Sequence, residues 1–302
     1  MPQPFSTADA QAVAAALGEA LGGSWSARPL GLSGFCATWR AESAQGACFV
    51  KVAGGPAAEA LRSEADGLAA IAATGCIRVP AVRALIDPAA DGSTLLALEW
   101  LALQPPGAGF GARFGAALGA LHTAPAAPAF GWARDNMLGG TPQDNRAVDP
   151  PLDWVRFFNQ RRLQPLHDRL AALGASTALL DAVQRVIARW GALAPAAPRP
   201  SLIHGDLWSG NWGMLTDGSP VIFDPAVSRS HAEAELAMME LFGSPPAGFW
   251  PAYAEAAGHD AAGYARRRPV YQLYHLLNHA LLFGGSYGEQ ALACAQLVLR
   301  QV

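Results

Sequence analysis

The chain has 302 residues, 51% of them hydrophobic and 15% charged, with a formal net charge of −3. That balance suits a well-buried folded protein with one large core or two lobes, and it excludes a disordered chain. It offers no basic field for nucleic acid, and no apolar run is long enough to span a membrane.

The N-terminal segment MPQPFSTADAQAVAAALG lacks the basic stretch of a signal peptide, and Ser6 or Thr7 reads as the N-cap of a first helix. Cys36, Cys48, Cys76 and Cys294 are scattered with no CxxC pair, which argues against zinc or a disulfide framework and points to a reducing cytoplasm. Segments 26–32, 35–42 and 46–52 read as strands, the last two joined by a turn at Gln45-Gly46. Pro56 opens a helix running to about Ala73. Strands near 82–86 and 93–101 follow, separated by the DPAADG turn. After the loose stretch LQPPGAGFG, helices are expected near 110–123, 152–172, 176–190, 231–241, 247–257, 262–283 and 288–300. The expected class is therefore α+β and two-lobed. Residues 1–101 make a small antiparallel-sheet lobe, and residues 102–302 a larger, mainly helical lobe. This is the plan of a protein kinase.

Of the 21 Lys and Arg residues, only Lys51 is a lysine, which marks a place where an arginine will not serve. It lies in CFVKVA, an apolar strand in which an unpaired ammonium is costly. The next helix supplies a partner. Glu64 shares an apolar stripe with Leu61, Leu68 and Ile71, whereas Glu59, Arg62, Ser63 and Asp66 form the polar face. Protein kinases use such a pair to grip nucleotide phosphates. Gly31-Leu32-Ser33-Gly34-Phe35 stands where a phosphate-covering loop should lie, so Ser33 and Gly34 are candidate nucleotide contacts. A Walker-A loop is excluded, because it needs a lysine and the only one is in a strand. Glu99-Trp100-Leu101 ends the lobe where a hinge would offer the backbone of Glu99 and Leu101 to adenine.

The strongest motif is SLIHGDLWSGNW, residues 201–212. Asn211 follows Asp206 at the kinase catalytic-loop spacing H-x-D-x-x-x-x-N, with Gly205 in place of the usual arginine. Asp206 is the candidate base and Asn211 a Mg²⁺ ligand. The strand Pro220-Val221-Ile222-Phe223 then delivers Asp224, the second metal ligand, in the place of the kinase DFG aspartate. His204 reads as a brace for the loop. His275 and His279, four apart on a late helix, read as helix-packing or substrate-facing. The seven histidines are dispersed, which argues against a metal hydrolase.

HGDLWSGNWG (204–213), FGWARDN (130–136), TPQDN (141–145), DWVRFFNQRRLQP (153–165), VIFDPAV (221–227), HAEAELAMMELFG (231–243) and YQLYHLLNHALLFGG (271–285) together resemble the fructosamine (ketosamine-3-) kinases. The resemblance implies ATP- and Mg²⁺-dependent phosphorylation of a sugar hydroxyl on a ketosamine, small or protein-bound, in cytoplasmic deglycation repair. It implies Asp206 as base, Asn211 and Asp224 on Mg²⁺, and Lys51 with Glu64 on ATP. Trp208 would line the sugar pocket, with His275 as a further substrate contact. A monomer or weak homodimer is expected, with no nucleic-acid or membrane partner. Two alternatives stand beside this: a kinase for another acceptor of the aminoglycoside, choline or homoserine type, and a non-catalytic ATP-binding module. Some relatives carry a redox-active cysteine in the phosphate loop; here Cys36 is shifted toward the next strand, which leaves redox-linked dimerisation open. Whether Glu233 and Glu235 serve the fold or the site is not readable from the sequence.

Overall fold

The computed structural model describes residues 7–89, 91–149 and 151–302, so the capping expected of Ser6 lies outside the described residues. The chain starts with α1 (Thr7–Leu21), followed by β1 (Ser26–Ser33), β2 (Cys36–Ser43) and β3 (Gly46–Ala53). A 3-10 turn at Gly55–Ala57 precedes α2 (Ala58–Thr74), and then come β4 (Val82–Ile86) and β5 (Thr94–Glu99). These five strands form one antiparallel sheet in the order β1-β2-β3-β5-β4. Successive side chains of a strand point to opposite faces, and both faces here are covered. Val50 and Ala97 face α1 through Val13 and Leu17, while Leu96 and Leu98 face α2 through Leu61, Leu68 and Ile71. That explains why β5 reads as an unbroken apolar run. It also puts Lys51, next to Val50, on the α2 side.

Past β5 the chain leaves the sheet. β6 (Leu103–Gln104) pairs with a strand of the helical part, β10 (Trp212–Leu215). Next come α3 (Phe110–Thr123) and a hairpin of β7 (Asn136–Leu138) and β8 (Thr141–Gln143). α4 (Trp154–Phe158) continues through a π turn at Asn159–Leu163 into α5 (Gln164–Ala172), and α6 (Thr177–Arg189) follows, N-capped by Ser176. β9 (Ser201–Ile203) leads to β10 and β11 (Pro220–Ile222), and β12 (Ser228–Ser230) pairs back onto β9. The remainder is helical: α7 (Ala232–Met239), α8 (Phe249–Ala257), α9 (Ala261–Phe283) and α10 (Tyr287–Leu299). α9 is the spine of this part, burying Val270, Tyr271, Leu273 and Leu277 among rings such as Trp154, Phe158 and Trp190. No helix among the described residues is long and apolar enough to cross a membrane. The class is α+β: a small antiparallel sheet and a mainly helical remainder, in the protein-kinase-like arrangement.

Several local expectations shift. Pro56 sits in the 3-10 turn rather than inside α2. Ser63, expected on the polar face of α2, is buried, because its hydroxyl folds back to donate to the Glu59 carbonyl. The single helix expected over 152–172 is interrupted by the π turn, whose extra residue accompanies the inward-facing Arg162. Arg162 donates to the Asp144 carbonyl at 2.9 Å and to Asn145 Oδ1 at 2.5 Å.

Candidate active site

A cleft of about 500 Å³ opens between the sheet and the helical part. Ser33, Gly34, Lys51 and Glu64 line it from the sheet side; Asp206, Trp208, Asn211, Asp224 and His275 line it from the other. Glu99 and Leu101 do not line it. Glu99 instead accepts two hydrogen bonds from Arg78, at 2.6 and 2.5 Å, and one from the Ala81 amide at 3.1 Å.

Lys51 Nζ donates to both oxygens of Glu64, at 2.9 and 2.8 Å, and to Asp224 Oδ1 at 2.5 Å. Lys51 and Glu64 are 4% and 7% exposed, so the pair is sealed beneath the sheet. Burial works against the ammonium, but the two carboxylates outweigh it and hold Lys51 above the ordinary lysine range. Burial raises Glu64, against the pull of Lys51 and with the push of Asp224. Two carboxylates thus share one cation, leaving negative charge in excess beside Asp224.

The catalytic-loop motif folds as a chain of short hydrogen bonds. His204 is wholly buried, and burial depresses its pKa, so the ring is neutral. Its Nε2 donates to the Phe223 carbonyl at 2.8 Å, and its Nδ1 accepts from the Asp206 amide at 3.3 Å. The expected brace is therefore present, and it ties the loop to the strand that delivers Asp224. Gly205 has φ +87°, and a Cβ there would lie 2.2 Å from the Ala226 carbonyl oxygen. Only glycine fits, which accounts for the missing arginine. Asp224 itself has φ +61°, the left-handed region that a non-glycine residue enters at a cost.

Asn211 donates from Nδ2 to the Asp206 carbonyl at 2.8 Å and to its Oδ2 at 3.4 Å. That commits the amide nitrogen inward and leaves the amide oxygen as the atom suited to a cation. Burial, then the Asp224 carboxylate, pushes Asp206 up to about 7. Among the described residues no group of three or more His, Cys, Asp or Glu forms a metal cage. One carboxylate, one amide oxygen and an excess of negative charge fit Mg²⁺, which takes few protein ligands and fills its shell with phosphate oxygens and water.

The sequence left Glu235 unread, and it proves central. From α7, its Oε2 accepts from the Gly205 amide at 2.7 Å, and its Oε1 lies 2.9 Å from His122 Nε2. His122 Nδ1 in turn meets the Tyr253 hydroxyl at 2.8 Å. Glu233 instead makes two bonds to Arg267, at 2.6 and 2.7 Å, away from the cleft.

On the open side of the cleft, Trp208 is 41% exposed. Gly210 makes room for it, since a Cβ there would lie 2.3 Å from the indole. The β7–β8 hairpin was missed from the sequence, although its Gly139-Gly140 dipeptide is a turn signal. It seats the tip of the β1–β2 turn: Phe35 rests where a Cβ on Gly140 would fall 2.5 Å from its ring. Cys36 is a free thiol that donates to the Ser33 carbonyl at 3.2 Å, and burial pushes its pKa up to about 11, which disfavours the reactive thiolate. α9 presents His275, Asn278, His279 and Leu282 to the cleft, so His275 faces it rather than only packing.

The model of the fructosamine kinase family matches residues 10–301. A probable ketoamine kinase of Synechocystis sp. is 40% identical over 255 residues, covering 83% of each chain. The chloroplastic protein-ribulosamine 3-kinase of Oryza sativa subsp. indica is 34% identical over 259 residues, 85% of this chain and 74% of that protein. The solved "putative fructosamine-3-kinase" of Thermobifida fusca superposes with a TM-score of 0.85 at 34% identity, over 95% of this chain and 98% of that one.

Proposed function

The chain belongs to the fructosamine kinase family, and on that premise we propose that it transfers the γ-phosphoryl group of ATP to a sugar hydroxyl of a ketosamine. The supporting observation is the cleft that gathers Lys51, Glu64, Asp206, Asn211 and Asp224 from four separate stretches of chain.

In this role residues 1–101 hold the nucleotide and residues 102–302 the acceptor. Ser33 and Gly34 cover the phosphates. Lys51, fixed by Glu64, neutralises their charge. Asn211 and Asp224 would hold Mg²⁺, which would supply charge screening for the phosphoryl oxygens. Asp206 accepts the proton of the attacking hydroxyl; its neighbours His204 and Asn211 fix the loop so that the carboxylate is positioned before the acceptor arrives. Phosphoryl transfer needs positioning and charge neutralisation more than covalent chemistry, so this sparse set is sufficient. Trp208 and His275 contact the sugar. A ketosamine phosphorylated in this way is destabilised toward loss of the sugar, which makes deglycation the biological role, and four free cysteines accord with a cytoplasmic setting.

An ATP-consumption assay with Mg²⁺ against fructosyl-, ribulosyl- and erythrulosyl-amines, an aminoglycoside and choline tests the assignment. Turnover of a ketosamine, with the phosphate on the sugar, is expected. Turnover of only the aminoglycoside or choline would keep the kinase and remove the ketosamine.

A further inference from the structure

Two polar atoms in the wall of the cleft lack a hydrogen-bond partner. His275 Nδ1 and Asn278 Oδ1 are both shielded from solvent and unpaired. A buried polar atom left unsatisfied is costly, so two of them side by side point to a partner that arrives from outside. They are three residues apart on α9 and therefore on one face, the face that lines the cleft. Asn278 is oriented by its own amide nitrogen, which reaches the Leu138 carbonyl at 3.5 Å. That contact turns Oδ1 away from the β7–β8 hairpin.

Depth separates this polar spot from the rest of the cleft. His275 and Asn278 are 4% and 3% exposed, whereas Trp208, Phe242 and Phe283 are 41%, 37% and 63% exposed. The cleft thus has a polar floor and an aromatic rim. Charge separates them too. Arg162, buried behind α9 and hydrogen-bonded to Asp144 O, Arg161 O and Asn145 Oδ1, sets a positive charge near His275. A cationic amine is attracted by the faces of the rim aromatics. A sugar hydroxyl, both donor and acceptor, suits the floor.

Resting on the ketosamine assignment above, we propose that His275 and Asn278 are specificity residues for the acceptor's hydroxylated tail. The ketosamine lies with its polyol end against α9 and its amine, with whatever carries it, at the aromatic rim. Asn278 Oδ1 takes the proton of one tail hydroxyl and the His275 ring pairs with another. The rim leaves the carrier outside, so an amine borne by a peptide is accommodated.

The test compares ketosamines of one amine whose sugars shorten from fructosyl to ribulosyl to erythrulosyl, with wild type, His275→Ala and Asn278→Ala. ATP affinity and melting temperature are measured on the same samples. Each variant is expected to raise the acceptor KM for the fructosyl compound about 10–100-fold, with kcat and ATP affinity within about twofold. The penalty should shrink as the tail shortens and fall below about threefold for the erythrulosyl compound. Equal penalties on all three acceptors, or none, overturn the proposal while leaving the ketosamine assignment standing. Wild type inactive on all three removes that assignment and the proposal with it. Should Asn278→Ala lose its fold through the Leu138 contact, His275→Ala carries the comparison alone.

Discussion

The amide of Gly205 donates to the carboxylate of Glu235 at 2.7 Å, so a residue of α7 holds the loop that carries Asp206. Glu235 is 1% exposed, and its second oxygen is engaged by His122. A buried carboxylate with two donors is a fixed strut rather than a mobile acid.

Glu235→Gln should keep the fold but weaken this strut, since an amide can accept from only one of the two donors. We expect kcat to fall about 10-fold with ATP affinity unchanged. Glu235→Ala strands both donors and should lower unfolding stability by roughly 2–4 kcal/mol, read from urea titration.

Gly205→Ala places a Cβ against the Ala226 carbonyl in a left-handed backbone. The loop must shift, which should cost roughly 1–3 kcal/mol of stability and at least about 100-fold in kcat. A variant with wild-type turnover would show that the loop tolerates displacement.

These two residues mark what the sequence made legible. The catalytic loop, Lys51 and Glu64 were readable because spacing and periodicity are local properties of the chain. Their meeting was inferable because a buried lysine requires a carboxylate. Glu235 was visible only as an acid on a short helix; its partner is thirty residues away, and nothing local says which amide it faces. The cleft face of α9 was harder still. Its residues follow helical spacing whether that face packs or binds, and Asn278 gave no signal. The β7–β8 hairpin was too short for an alternating pattern, leaving only its glycine pair.

Lys51 stands between Glu64 and Asp224, so Lys51→Ala leaves two carboxylates facing each other. ATP KM should rise more than about 10-fold and kcat fall about 10²–10³-fold. Lys51→Arg should not rescue it, because a forked guanidinium does not fit where one ammonium meets three oxygens. Chelating the divalent cation should abolish turnover, and Asp224→Asn should raise the Mg²⁺ concentration needed for half-maximal rate by about 10-fold or more.

Two imidazoles are kept neutral inside the fold. Burial, with nearby positive groups adding to it, holds His231 and His275 down to about 3. Unfolded, each takes a proton near 6.5, so between about pH 6.5 and 3 these two rings bind more protons in the unfolded chain than in the native one. Their contribution should therefore lower stability as pH drops through that window, by at most about 1.4 kcal/mol per pH unit for each ring, while Asp206 and Glu64, held above the usual carboxylate range, act in the opposite sense. Glu233, 3.7 Å from His231, opposes the effect there, but its carboxylate is committed to Arg267. The change in denaturant midpoint from pH 7 to pH 5 should be less destabilising in His275→Phe than in wild type.

The most direct measurement is the rate of phosphate transfer to a fructosyl-amine by Asp206→Asn beside wild type, with ATP affinity measured on both. If Asp206 takes the acceptor's proton, the variant should lose about 10²–10⁴-fold in kcat while binding ATP within about twofold of wild type. A variant that transfers phosphate at the wild-type rate would contradict the account.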